Sequence, residues 1–375
     1  MHSFITNHFD PGKKRPKIVT RQCVLQEPSE QWQFAHHPRL IWFKGKFYAV
    51  FTTGQVNEDD VGQHIRLCVS EDFESWSKPM KLVDAYAGEK REGFTSPAGL
   101  YTDGETLVCY YQCFEYMDEA IKPNGLRGFD LHKRNHRGNY CITTKDGVTW
   151  SDPIQLVDGV GANHNPIVLS NGRLICGGRK NAHTDNPDGI HDWVTGEAYP
   201  EGYPQNKPFE DGEGVFTASG VVTDHKVGLC EPSILELDDG TLWQFYRSGT
   251  PWLWACYSKD FGDTWSLPEP TKFSDNRTKF QLGRLPSGKY FCLGTPDPFP
   301  PRTRHILVLS LSRDGFDFDQ QLIVDDTQYK QVFPGLDKNG IYGYPASIIR
   351  DGVMYLIVSI CKEKIISIQF PIETL

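Results

Sequence analysis

Short apolar runs separated by turn residues set the pattern of this chain. Phe47-Tyr48-Ala49-Val50-Phe51 and Thr241-Leu242-Trp243-Gln244-Phe245-Tyr246 are rich in aromatic and β-branched residues, which suit a pleated, half-buried surface. Gly, Pro, Asn and Asp punctuate such runs, and no stretch holds a helical apolar period over several turns. The pattern predicts an all-β protein.

Two repeats organise these strands. The first reads Ser or Thr, any residue, Asp, a turn and an aromatic: Ser70 to Trp76, Thr144 to Trp150, Ser258 to Trp265 and Ser312 to Phe318. It is a hairpin device in which Asp accepts from turn amides, Gly takes a positive φ and the aromatic plugs the space below. The second is a residue followed by Pro, an apolar run and a tight turn. It occurs at His37-Pro38, Ser96-Pro97, Asn165-Pro166, Glu231-Pro232 and Tyr344-Pro345, with Phe280-Gln281-Leu282 filling a sixth slot without Pro. Six such units of short strands predict a six-bladed β-propeller. Because the last unit, Tyr344 to Phe370, supplies only about three strands, the strand-like segment Lys17 to Leu25 is expected to complete it. The ring would then close as one domain over 1–375.

Composition narrows the function. At a net charge of −9, without the clustered Lys and Arg that neutralise phosphates, the chain is not expected to bind nucleic acid. It has no apolar span long enough for a membrane, and Met1 to Lys17 lacks the continuous apolar stretch of a secretory signal. The ten cysteines lie mostly singly in strand-like runs, which points to buried thiols in a reducing, cytoplasmic compartment. No Cys-x-x-Cys pattern calls for a metal or a cofactor, although Glu58-Asp59-Asp60 can bind Ca²⁺ as readily as supply an acid. Two polar insertions, Glu115 to Asn139 and Asn181 to Val215, are expected to rim one mouth of the central depression.

The Asp-containing turns, together with the strands around Glu231, Arg247 and Tyr344, resemble the sialidase (neuraminidase) superfamily of six-bladed Asp-box propellers. The resemblance implies an exo-glycosidase that removes a terminal carboxylated sugar from an oligosaccharide or glycoconjugate. Sialidases hold that carboxylate with three Arg, and use a Tyr nucleophile helped by a Glu together with a separate acid/base. By this likeness Glu231, in the stretch that leads to Tyr246-Arg247, is the partner of the nucleophile, and Arg247 is one carboxylate ligand. Arg304 is preferred as the next ligand, with Arg302 the alternative, and Tyr344 in Gly343-Tyr344-Pro345 is the nucleophile. A phenol, with a pKa of about 10, becomes a usable nucleophile once a carboxylate takes its proton, and it does not repel an anionic substrate. The acid/base is expected to be Asp59 or Asp60, in the loop from Gly54 to His64, or His37.

Where the family carries Phe-Arg-Ile-Pro, this chain has Phe34-Ala35-His36-His37-Pro38, so a His pair replaces the first Arg. His36 is then a candidate substrate contact, and Arg179 a candidate replacement cation. The His pair also supports a second reading, a lyase or hydrolase for uronate- or rhamnose-containing oligosaccharides. There His37 or His164 would move the proton beside Tyr344, since His suits proton transfer near neutral pH. The third reading is a non-catalytic glycan-binding propeller with Trp193, Trp252 and Trp254 as platforms.

Overall fold

The computed structural model describes residues 1–89, 92–116, 134–161, 164–204, 215–217, 220–222, 227–373 and 375. Within them six antiparallel sheets form a six-bladed propeller. Blade 1 spans 34–83, blade 2 93–156, blade 3 167–197, blade 4 230–274, blade 5 281–325 and blade 6 342–371. The first strands of the blades meet at the axis. Leu282 N donates to Ser233 Oγ at 3.0 Å, and Gln281 Nε2 to Ser347 O at 3.0 Å. Asn165 stitches three blades, donating through Nδ2 to Leu40 O at 3.0 Å and accepting from Leu100 N at 2.8 Å.

The Asp residues bond the turn amides as the sequence predicts, while in blades 1 and 4 Phe73 and Phe261 take the positive φ expected of Gly. Asp72 Oδ1 accepts from Glu74 N at 2.8 Å and Ser75 N at 2.6 Å; Asp314 Oδ1 accepts from Phe316 N at 2.8 Å and Asp317 N at 2.9 Å. These backbone amides favour the charged form and pull the Asp72 carboxyl down to about 2. Phe73 and Phe318 are buried beneath their turns.

Ring closure uses Arg21–Gln26, which pairs antiparallel with Lys364–Pro371. Lys17, read as the start of that strand, is bridged instead to Ile323 of blade 5. A further strand lies where only a polar lead was expected: His2–Thr6 runs parallel to Glu269–Ser274 and adds a fifth strand to blade 4. Its one buried apolar side chain is Ile5, which sits in a core with Phe245, Phe273, Phe280 and Phe318. A single apolar residue leaves no period to read. Truncating it should open a cavity, so Ile5→Ala is expected to cost about 2–4 kcal/mol in urea unfolding. A loss below about 0.5 kcal/mol would mean that the strand does not dock in solution.

The second insertion is partly regular. Lys180–Thr184 and Val194–Glu197 pair as the outer hairpin of blade 3, although Lys180-Asn181-Ala182-His183-Thr184 carries too few apolar residues to read as a strand. Residues 117–133 of the first insertion and 205–214 of the second lie outside the described residues. All ten cysteines are free thiols, with Cys230 exposed and Cys23 half-buried. Among the described residues no helix is long and apolar enough to cross a membrane.

Candidate active site

Three of the residues before Pro share one backbone device. His37, Glu231 and Tyr344 have φ of 56°, 49° and 56°, and each sits at a break in the register of its blade's first strand. Positive φ in a bulky residue costs on the order of 1–3 kcal/mol and persists where the surroundings impose it. A bulge re-aims a side chain that would otherwise alternate between the two faces of a strand. Blades 1, 4 and 6 thus turn an imidazole, a carboxylate and a phenol toward one point.

At that point Tyr344 Oη donates to Glu231 Oε1, while Arg247 Nη1 donates to Glu231 Oε2 and, at 3.1 Å, to Tyr344 Oη. Burial would raise the Glu231 carboxyl, but Arg247 and the Tyr344 hydroxyl together bring it below its ordinary value. Burial, and then the negative charge of Glu231, push the Tyr344 phenol well above its usual range. The resting pair is therefore a neutral phenol bonded to a carboxylate. Proton transfer to Glu231 has to accompany any bond made by Tyr344 Oη.

The imidazole side is equally ordered. Thr52 Oγ1 spends its proton on His36 O at 2.9 Å, so at 3.0 Å it can only accept from His37 Nδ1–H. Nε2 of His37 then faces Glu58 Oε1 at 3.4 Å, and Lys362 Nζ donates to Glu58 Oε2. Burial opposes the charged Glu58, yet Lys362 and His37 hold its carboxyl well below the carboxylate range. The His37 ring centroid lies 5.1 Å from that of Tyr344. Of the acidic run in this loop, Glu58 is the member that meets the site. Asp60 is buried and accepts from Asn57 N at 2.7 Å, tying its own loop; Asp59 is engaged through its backbone, where its N donates to Gln63 Oε1 at 2.9 Å and its carbonyl accepts from Tyr116 Oη. An acidic triplet carries no sign of which member turns inward, so only the loop was legible.

The cations are in excess. Arg304 is buried and donates from Nη2 to Arg277 O at 2.8 Å, while its Nε and Nη1, like Nε of Arg247, have no hydrogen-bond partner. Arg302 stays half-buried and donates no such bond into the site. Arg277, which no motif flagged, lies close enough that burial together with Arg247, Arg302 and Arg304 lowers its guanidinium to about 10. Asp275 stands nearby, and burial raises its carboxyl to about 7. Unpaired buried N–H groups on guanidinium ions form an anion site, and a carboxylate matches their fork.

The remaining candidates disperse. Arg179 pairs with Glu197 at 2.9 Å and lines, with Glu231, Lys180 and Tyr246, a cleft of ≈ 330 Å³. His36 is fully buried with its ring 4.1 Å from Tyr344; burial, then His37, keep it well below its ordinary pKa and hence neutral. A neutral ring brings no charge to the site, and His36 packs against the Tyr344 ring. His164 belongs to a separate axial cavity with Arg39 and Lys279. Trp193 and Trp254 are buried inside blades, and Lys272 Nζ covers the Trp252 ring at 5.3 Å, so none of the three is an open platform. Ring nitrogens of His36 and His37 and an oxygen of Glu58 approach within 4.8 Å of one another, a spacing that a metal ion can use. Lys362 already holds Glu58 from the inner side, and Arg304 adds a second repelling charge.

Comparison with known proteins follows this geometry. A family model described as a BNR repeat-like domain matches residues 45–356. A solved structure titled "Sialidase" is 18% identical, with a TM-score of 0.63 over 99% of this chain and 34% of that one. Trypanosoma rangeli sialidase, solved as a covalent intermediate with 2,3-difluorosialic acid, is 13% identical, with a TM-score of 0.61 over 94% of this chain and 59% of that one. A Dyadobacter fermentans protein of unknown function is 17% identical, with a TM-score of 0.59 over 94% of this chain and 99% of that one. The chain thus spans about a third of the first of these and most of the last. No curated protein sequence matches it.

Proposed function

From the chain's membership of the BNR repeat-like family, we propose that it is an exo-glycosidase that removes a terminal carboxylated sugar through a covalent tyrosyl intermediate. One observation carries this reading: a phenol, a carboxylate and an arginine from three different elements are hydrogen-bonded to one another at the axis. A binding module has no use for a buried phenol whose proton is already directed at a base. That a T. rangeli sialidase of the same fold has been solved as a covalent intermediate supports the same chemistry.

In this mechanism Arg304 and Arg247 hold the sugar carboxylate. Tyr344 Oη bonds to the anomeric carbon as its proton passes to Glu231, and the glycosidic C–O bond breaks with its electron pair on the departing oxygen. His37, held by Thr52 and Glu58, gives that oxygen the Nε2 proton. Water then loses a proton to His37 and displaces Tyr344 Oη, which recovers its proton from Glu231. The electrostatic term is largest where charge develops, and the excess of guanidinium over carboxylate holds the anionic sugar throughout.

The test is a product analysis by mass spectrometry over sialosides, Kdo-like sugars and uronate or rhamnosyl-uronate oligosaccharides. The expected result is a free acidic monosaccharide from the non-reducing end, with Arg304→Ala raising KM roughly 100-fold or more. The lyase reading draws on the neighbouring rings of His37 and Tyr344, and it demands absorbance near 235 nm, roughly, as unsaturated uronate forms. Binding without turnover across the panel would leave only the glycan-binding propeller. The free thiols suit a reducing compartment, where we place the protein.

A further inference from the structure

The axial cavity beneath the site has its own chemistry. Its volume is ≈ 80 Å³, room for more than one water-sized body, since about 10–15 Å³ on this measure holds one water. Arg39, His164 and Lys279 line it, together with Ser233, Gln281 and Ser347, and no carboxylate is among its walls. Lys279 is fully buried and its Nζ has no hydrogen-bond partner; Nε2 of His164 is buried and unpartnered as well. Arg39 is also buried, and its three bonds, at 3.3, 2.8 and 3.1 Å, go to the carbonyls of Ala98, Pro38 and Pro97, none of which bears a charge.

Two buried basic side chains therefore share a cavity in which Lys279 Nζ has no hydrogen-bond partner. An isolated buried charge is costly unless it is paired or neutralised. A neutral Lys279 would still leave its Nζ without a hydrogen-bond partner in the cavity. A monatomic anion resolves both difficulties: it accepts from Lys279 and His164, balances Arg39 and fits the space.

We propose that this cavity is a binding site for a small monovalent inorganic anion of the halide class, held by Lys279 Nζ and His164 Nε2 with Arg39 behind them. The site is distinct from the carboxylate clamp, yet it adjoins the nucleophile, since Lys279 Nζ lies 5.6 Å from the centroid of the Tyr344 ring. The anion keeps Lys279 charged beneath that ring. Burial, and then Arg39 beside it, otherwise drive the ammonium well below its ordinary pKa against the opposing pull of Glu231.

Two measurements on the intact protein test this. In the first, crystals are soaked in sodium bromide, and data collected at the bromine edge should show an anomalous peak inside the cavity within hydrogen-bond reach of Lys279 Nζ. In the second, thermal unfolding is followed in sodium chloride and in sodium gluconate of equal ionic strength. Chloride should raise the midpoint saturably, by roughly 2–4 °C, and Lys279→Met should abolish the difference whatever its own midpoint. No bromide peak in the cavity, or equal midpoints in chloride and gluconate for the unaltered protein, overturns the proposal. So does a peak seen at soaking concentration without a saturable shift. If Lys279→Met does not fold, His164→Phe takes its place, with the same loss of the chloride effect expected. None of these readouts depends on turnover, so they stand or fall apart from the glycosidase reading.

Discussion

Tyr344→Phe is expected to lower kcat by roughly 10⁴-fold or more while leaving the fold and the carboxylate clamp intact. The substitution removes one oxygen. That oxygen gives its proton to Glu231 Oε1 and accepts from Arg247 Nη1 at 3.1 Å, so its loss leaves Glu231 and Arg247 still paired to each other. Stability should change little for that reason. Glu231→Gln is the harsher change: it strands Arg247 without its buried counter-charge, at a cost of about 3–5 kcal/mol when one partner of a buried pair is removed. Activity should nevertheless fall to a similar level in both, and the double variant should lie close to either single one, because nucleophile and base act as a unit. The loss should be equal for substrates with good and poor leaving groups, since no leaving group replaces a missing nucleophile. Steady-state kinetics on folded Tyr344→Phe decides the matter: retention of more than about a tenth of the turnover would sink the covalent mechanism.

The parts of this site that could be read from the sequence share a physical reason. Pro after His37, Glu231 and Tyr344 marks one position in three repeats, and a repeated position is visible without knowing its role. Its backbone consequence, a positive φ and a register break, is what points the side chains inward. Asn165 occupies the same position in blade 3 without the positive φ and serves instead as a stitch between blades, so the Pro marks the position and not the device. Residues delivered by loops were not legible in this way. Lys362 comes from the turn between two strands of blade 6 and Arg277 from the link between blades 4 and 5, and neither belongs to a repeat. Glu58 was visible only as one of three acids. The outer strand at His2–Thr6 escaped for another reason, since its stability rests on Ile5 and on the edge of blade 4 and not on its own pattern.

Removing His37 should produce a loss whose size depends on the leaving group. His37 stands with Nδ1 committed to Thr52 and Nε2 toward Glu58, the arrangement of a proton donor held in one orientation. Protonating a departing alkoxide contributes about 10²–10⁴-fold, and that help is redundant when the leaving group is a stable phenolate. His37→Ala is therefore expected to cut kcat on natural glycosidic linkages by about 10²–10⁴-fold, and to cut the release of 4-nitrophenol from the matching aryl glycoside by less than about tenfold. Glu58→Gln keeps the shape of the carboxylate and removes its charge, so it should reproduce the same pattern more weakly. Asp59→Asn should leave it unchanged, because Glu58 is the acid of this loop whose carboxylate faces His37. Equal losses on both substrates would instead assign His37 to holding Tyr344, whose ring it abuts, and would return the acid/base role to the acidic loop. The leaving-group ratio separates proton donation from packing, which a fall in activity alone does not.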